Sequence, residues 1–344
     1  MTDKKIRVLI VDDSIFFRTA LEKILKENPD IEVIGQARNA FEAQKKIKEL
    51  LPDVVTLDIE MPGLSGTEFV KKIMPIHPLP IILVSSLNIT VFEALESGAV
   101  DFVRKPSAQV DHDLQQFYKE LTSKIMIASH AKVRKSAPVS APSSESDLKL
   151  KGVLSDKRII AIGASTGGTE ATLEVLKRLP TNIPGILVTQ HMPPNFTKMY
   201  AQRLDKICPI TVTEAENGER VERGHAYIAP GDKQMTLEKD SRGYYIRCIP
   251  GEKVSGHCPS VDVLFRSVAE KAGDNAIGVI MTGMGKDGAD GLLQMRHRGA
   301  YTIGQDKETC VVYGMPMVAF NVGAVAEQAP VQKIASLIIQ RLNL

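Results

Sequence analysis

No stretch of this sequence approaches the roughly 18 consecutive apolar residues of a membrane span. The opening "MTDKKIRVLIVDD" also lacks the long apolar core of a secretory signal. Cysteine is sparse. Cys208, Cys248, Cys258 and Cys310 include no C-x-x-C pair, so they are expected as free thiols of a reducing, cytoplasmic protein. Charge of one sign is scarce as well. A net charge of +2 over 344 residues supplies no field for nucleic acid or for an anionic membrane surface. The second half has no helix-turn-helix and no basic recognition helix, which argues against a DNA-binding output. No internal repeat relates the two halves. What remains is an ordinary globular composition, 43% hydrophobic and 24% charged, long enough for two domains that each bury a core.

The stretch 129–156, "SHAKVRKSAPVSAPSSESDLKLKGVLSD", is rich in Ser, Pro, Ala and Lys and has little hydrophobic periodicity. It is expected to link a domain at 1–128 to one at 157–344. Before it, the short apolar runs "IRVLIV", "IEVIGQA", "DVVTLD", "PIILVSS" and "DFVRKP" alternate with segments of three- and four-residue apolar spacing. Five such units predict a doubly wound parallel sheet. After it, "RIIAIGA", "GILVTQ", "AYIAP" and "AIGVIMTG" predict a second, mostly parallel α/β sheet. A small antiparallel element is expected within 210–254.

In the first half, apolar strands run into carboxylates: "VLIV" into Asp12 and Asp13, "VVTL" into Asp58. Ligands of an open parallel sheet gather at the carboxyl ends of its strands. Three acids there repel one another unless a cation joins them, and Mg²⁺ takes hard oxygen ligands and shares its shell with phosphate. Ser85 and Ser86 end the fourth strand and Lys105-Pro106 the fifth, adding a hydroxyl and an ammonium suited to a phosphoryl group. An isolated Asp12 or Asp13 would be no more than a helix cap; the ordered set argues for a site.

The second half opens on "IIAIGASTGGTE", where Ser165 stands among glycines directly after an apolar run. The spacing fits neither G-x-G-x-x-G nor a loop closed by G-K-[ST]. It does fit G-x-S-x-G, Gly163 to Gly167, a sharp strand-to-helix turn that exposes a hydroxyl and aims helix amides at a developing oxyanion. A serine capping the helix is the competing reading. A serine nucleophile needs a base. His191 follows "GILVTQ" and fits; His225 and His257 are its rivals, and His257 in "SGHCPSVD" could bind substrate. The base needs an acceptor, which "AIGVIMTGMGKDGADG" supplies as Asp287 at the turn, with Asp290 inside the following helix as the alternative.

These motifs carry a resemblance over essentially the whole chain. "VDDS", "LDIEMPGLSG", "VSS" and "DFVRKP" resemble the receiver domain of two-component systems, and "IGASTGGTEA", "TQHMPPNFT", "GHAYIAPGDKQM", "PSVDVLF" and "TGMGKDGADG" resemble the catalytic domain of the CheB family of chemotaxis protein-glutamate methylesterases. The receiver resemblance implies a flavodoxin-like sheet of order 2-1-3-4-5 and phosphorylation of Asp58 by a chemotaxis histidine kinase. It implies Mg²⁺ on Asp13, Asp58 and the Glu60 carbonyl with Asp12 assisting, phosphoryl contacts from Ser85 and Lys105, and Phe102 as the aromatic that follows phosphorylation. The esterase resemblance implies hydrolysis of glutamate methyl esters, and deamidation of glutamines, on the cytoplasmic helices of chemoreceptors. Ser165 would be the nucleophile, His191 the base and Asp287 its orienter, with the amides of Thr166 and Met284 as oxyanion donors and no cofactor for the hydrolysis. A monomer without membrane insertion is expected, whose unphosphorylated receiver shields the esterase. Two departures stand out: Cys258 replaces a usual arginine after His257, and "SSLNITVFEAL" is shorter than in many members. A purely binding output, or a hydrolase of small esters or peptides, are the rival functions.

Overall fold

A computed structural model describes residues 4–86, 90–106, 111–133, 150 and 157–344, with no side-chain description at 111–113. Residues 134–149 and 151–156 of the expected linker, and 87–89 of "SSLNITVFEAL", lie outside the described residues. The chain divides into two compact units, Met1–Ala141 and Pro142–Leu344.

The first unit alternates strands and helices: β1 (Ile6–Val11), α1 (Ile15–Leu25), β2 (Ile31–Ala37), α2 (Ala40–Leu50), β3 (Val54–Asp58), α3 (Gly66–Ile73), β4 (Ile81–Ser85), α4 (Thr90–Glu96), β5 (Asp101–Arg104) and α5 (Asp111–Ala128). The sheet is parallel, in the order β2-β1-β3-β4-β5. β3 and β4 are buried at every position, as strands covered on both faces must be. Helix starts are set locally. Ser14 accepts from the Phe17 amide, and Ser65 and Glu68 form a reciprocal capping box.

The second unit comprises β6 (Ile159–Ala164), α6 (Gly168–Leu176), β7 (Ile186–Gln190), α7 (Phe196–Ile207), β8 (Thr211–Glu214), β9 (His225–Ile228), β10 (Lys233–Asp240), β11 (Gly243–Pro250), α8 (Val261–Lys271), β12 (Ala276–Ile280), α9 (Ala289–His297), β13 (Tyr301–Gln305), α10 (Met315–Asn321), β14 (Glu327–Ala329) and α11 (Val331–Leu342). Its seven-stranded sheet is parallel throughout, in the order β14-β13-β12-β6-β7-β9-β8, and β10 pairs antiparallel with β11 as a separate hairpin. That hairpin buries Met235, Leu237, Tyr244 and Ile246 in one cluster with Leu264, Phe265 and Val268 of α8. α8 is thereby held firmly, which matters for its amino end. The strand order reverses beside β6: the chain moves from β6 to β7 on one side and later returns to β12 on the other. Such a reversal opens a crevice at the carboxyl ends of the strands.

Candidate functional site

Ser165, His191 and the turn after β12 meet at that reversal. Ala164 pairs with Gln190 across β6 and β7, and Gly163 with Ile280 across β6 and β12. The ladder continues one step further. His191 N–H donates to the Ala164 carbonyl at 3.1 Å, and Ser165 N–H to the Thr282 carbonyl at 3.0 Å. The glycines around Ser165 serve packing. A Cβ on Gly163 would fall 2.1 Å from Val261 Cγ1, so its absence lets α8 lie on β6. Gly167 turns the chain at φ 76° into α6 and is the cap residue of that helix. A Cβ on Gly168 would meet Gln190 Oε1 at 2.3 Å. With that room, the Gln190 amide donates to the Ser165 carbonyl at 2.8 Å and to the His191 carbonyl at 3.3 Å, tying the two strand ends together.

His191 and Asp287, 96 residues apart, are joined by a 2.8 Å bond from Nε2 to Oδ2. Nδ1 of the same ring is buried and makes no hydrogen bond to any described residue. The neutral ring that donates through Nε2 therefore keeps its lone pair on Nδ1. Asp287 also accepts from Ser260 Oγ (2.7 Å) and from the amides of Val261 (2.7 Å) and Asp262 (3.1 Å), the amino end of α8. Burial pushes the Asp287 carboxyl up, but the His191 ring, the Ser260 hydroxyl and the Val261 amide outweigh it and hold it below the usual carboxylate range.

The rivals separate cleanly. Asp290 is exposed at 65% of its side chain and lies 3.9 Å from Arg266. His225 starts β9 level with Gly185, about 20 Å of strand away from His191 at ~3.3 Å per residue. It bonds Thr213 Oγ1 and stacks on Tyr227. His257 does reach the site: its ring stacks on His191 with centroids 3.6 Å apart and planes 9° from parallel. Cys258 beside it is partly exposed, and burial with the nearby Asp232 charge keeps its thiol above the ordinary range. Thr166 is buried at the start of the serine turn, where its carbonyl accepts from Thr282 Oγ1. Met284 is exposed at the turn after β12.

Sequence reasoning passed over Ser260 and Gln190. "PSVDVLF" signals a serine that caps a helix, and Ser260 does cap α8. That the same hydroxyl reaches Asp287, 27 residues on, has no local signal. Gln190 looks like any strand-end polar residue.

In the first unit, Asp12, Asp13 and Asp58 bring carboxylate oxygens within 4.8 Å of one another. Lys105 Nζ lies 2.8 Å from Asp12 and 2.7 Å from Asp58. One ammonium against three carboxylates leaves an excess of negative charge among hard oxygen donors, a set that fits Mg²⁺. Burial, reinforced by the Asp58 charge, raises the Asp12 carboxyl despite Lys105. Burial works against the Lys105 charge, yet its hydrogen bonds to Asp12 and Asp58 hold it above the ordinary value. Ser85 Oγ, at the end of β4, is buried and makes no hydrogen bond to any described residue. Glu60 is exposed just past Asp58, and its amide donates to Asp58 Oδ1 at 3.1 Å. Phe102 is buried on β5, edge-on to Phe92.

Comparison with known proteins finds relatives of both units. The CheB methylesterase family model matches residues 160–338, and the response regulator receiver domain model matches residues 8–115. The chain is 48% identical over 342 residues to the protein-glutamate methylesterase/protein-glutamine glutaminase 2 of Syntrophomonas wolfei, covering 99% of this chain and 98% of that one. It is 45% identical over 343 residues to the protein-glutamate methylesterase/protein-glutamine glutaminase of Salmonella typhimurium, covering 98% and 97%. The second unit resembles the crystal structure of the Thermotoga maritima CheB methylesterase catalytic domain, with 40% identity, a TM-score of 0.53, and coverage of 54% of this chain and 98% of that one.

Proposed function

The chain belongs to the CheB methylesterase family, and from that premise we propose that it is a phosphorylation-activated protein-glutamate methylesterase and protein-glutamine glutaminase serving chemotaxis adaptation. Its substrates are the cytoplasmic helices of chemoreceptors. The observation that carries the reading is the His191–Asp287 bond at the strand-order reversal, which leaves Nδ1 as the basic nitrogen beside the Ser165 turn.

Ser165 Oγ rotates toward His191 Nδ1 and attacks the ester carbonyl while Nδ1 takes its proton; such bonds commonly tighten only with substrate present. Asp287 holds Nε2–H throughout and stabilises the imidazolium. The amides of Thr166 and Met284 receive the oxyanion, each worth about 3 kcal/mol. Nδ1 then returns the proton to the departing methoxide, methanol leaves, and water cleaves the acyl-enzyme by the same route. A glutamine follows the same path with ammonia leaving.

In the receiver, Asp58 accepts a phosphoryl group from a histidine kinase. Asp13, Asp58 and the Glu60 carbonyl would hold Mg²⁺, assisted by Asp12; bound there, the ion neutralises charge between carboxylates and phosphoryl oxygens. Lys105 and the Ser85 hydroxyl contact the phosphoryl group, which gives the buried Ser85 Oγ, unbonded among the described residues, an acceptor. Phe102 responds from β5.

The direct test is methanol release from methylated receptor. Ser165→Ala should fold normally, still accept phosphate on Asp58, and lose on the order of 10⁶-fold in turnover. Near-normal release by that variant would remove Ser165 from the reaction.

A further inference from the structure

The turn after β12 and helix α10 carry exposed apolar side chains for which the hydrolytic chemistry has no use. Met284 is exposed at 47%, Met317 at 42% and Phe320 at 50%. Among the described residues of the second unit, the other exposed large apolar side chains are Val322, just past α10, Ile207 on α7, Ile249 on β11 and Leu344 beyond α11.

The strip is continuous with the serine through the backbone. Gly283 packs so closely on Ser165 that a Cβ there would lie 2.6 Å from Ser165 Cβ and 2.4 Å from Met315 Sδ. The Gly283 carbonyl accepts from the amides of Gly314 (3.1 Å) and Met315 (2.8 Å), which anchors the first turn of α10. Gly314 backs onto Met284, where an added Cβ would come within 3.0 Å of Met284 Cα. Met317, three residues past Gly314, shares with it the face of α10 that Met284 backs. Phe320, three residues on, shares a face with Met317.

A glutamyl ester attached to a protein dictates where the rest of its substrate lies. The ester carbon is three bonds from its Cα, about 4 Å away, and the helix that carries it is about 10–12 Å across. A helix that delivers this carbon to Ser165 necessarily covers the surface around the serine turn, including Met284 and the first turn of α10. Large exposed apolar patches mark interaction sites, and methionine adapts to partners of differing shape.

We propose that Met284, Met317 and Phe320 form a docking ledge for the apolar shoulder of the substrate helix, so that esters carried on helices are taken in preference to free ones. The proposal rests on the methylesterase reading and adds the element that selects its substrate. The test uses the full chain with Met317→Gln and Phe320→Gln together, leaving Met284 in place because its amide belongs to the oxyanion pocket. Two substrates are compared, a small chromogenic acetate ester and a methylated receptor cytoplasmic fragment. On the small ester the variant should stay within about twofold of wild type. On the fragment kcat/KM should fall at least about tenfold, or about 1.4 kcal/mol, mainly through KM, and Met317→Leu with Phe320→Leu should restore most of it. Unchanged turnover of the fragment overturns the ledge, and an accompanying change in sedimentation would make the strip a self-association surface. Equal loss on both substrates also overturns it. If wild type hydrolyses the small ester through Ser165 but never the fragment, the methylesterase reading fails, and the ledge with it.

Discussion

At Asp287 both oxygens of one carboxylate are committed. Oδ2 accepts from His191 Nε2 and the Val261 amide, Oδ1 from Ser260 Oγ and the Asp262 amide. Orientation and charge are thus provided together. An asparagine in its place would reproduce the shape but could turn its NH₂ toward Nε2, favouring the tautomer that protonates Nδ1. Asp287→Asn should therefore lower kcat by about 10⁴-fold with KM little changed. The same group makes a pH prediction. Its folded-state carboxyl is held below the ordinary value near ~3.9, so its contribution to stability is complete above that value and disappears as pH falls through the folded one. The gap in melting temperature between wild type and Asp287→Asn should close as pH falls below about 4. A gap that instead closed near neutrality would tie the stabilisation to another group.

Strand ends, rather than strands, build the site. β6, β7 and β12 each stop at the same level, and Gln190 fastens the first two through the Ser165 and His191 carbonyls. Gln190 touches no reacting atom in the proposed mechanism, so it is a positioning residue. Displacements near 1 Å can cost on the order of 10²-fold in turnover. Gln190→Met keeps the volume but removes the amide; kcat should fall about 10- to 100-fold with KM nearly constant. Equal losses in binding and turnover, or none, would show that the clamp is dispensable. Element by element, the runs that end at Asp12, Asp58, Ser85, Ser165 and His191 were legible as strands because a short continuous apolar, β-branched run and a polar stop are local signals. β13, β14, α10 and α11 went unassigned in the sequence, so the seating of α10 against Gly283 was not foreseen.

Across the full chain, an acidic pocket and a hydrolytic site occupy separate compact units. Coupling them through phosphorylation has an energetic requirement. Moving a population from one in a hundred active to ninety-nine in a hundred takes about 5.5 kcal/mol of differential stabilisation. In the proposed receiver chemistry that stabilisation would come from a doubly charged group on Asp58 beside Lys105 and a divalent cation. A small phosphodonor with Mg²⁺ should raise methanol release by the full chain at least about tenfold, and Asp58→Asn should abolish the increase while keeping the basal rate. Stimulation that survives in Asp58→Asn would remove that residue from the switch.

Local patterning was enough to predict the two α/β sheets and to single out the acids and lysine of the first and, with their rivals still open, Ser165, His191 and Asp287 of the second. Each is written in the order of apolar runs and the polar residue that ends them. Long-range packing alone established that β12 lies beside β6, that the amino end of α8 holds the Asp287 charge, that His257 and not His225 covers His191, and that apolar side chains of the turn after β12 and of α10 stay exposed. Those outcomes depend on which surfaces pack together over separations as long as the 116 residues between Thr166 and Thr282. Local alternation carries no record of that choice; close packing of glycine-sized gaps against particular side chains makes it.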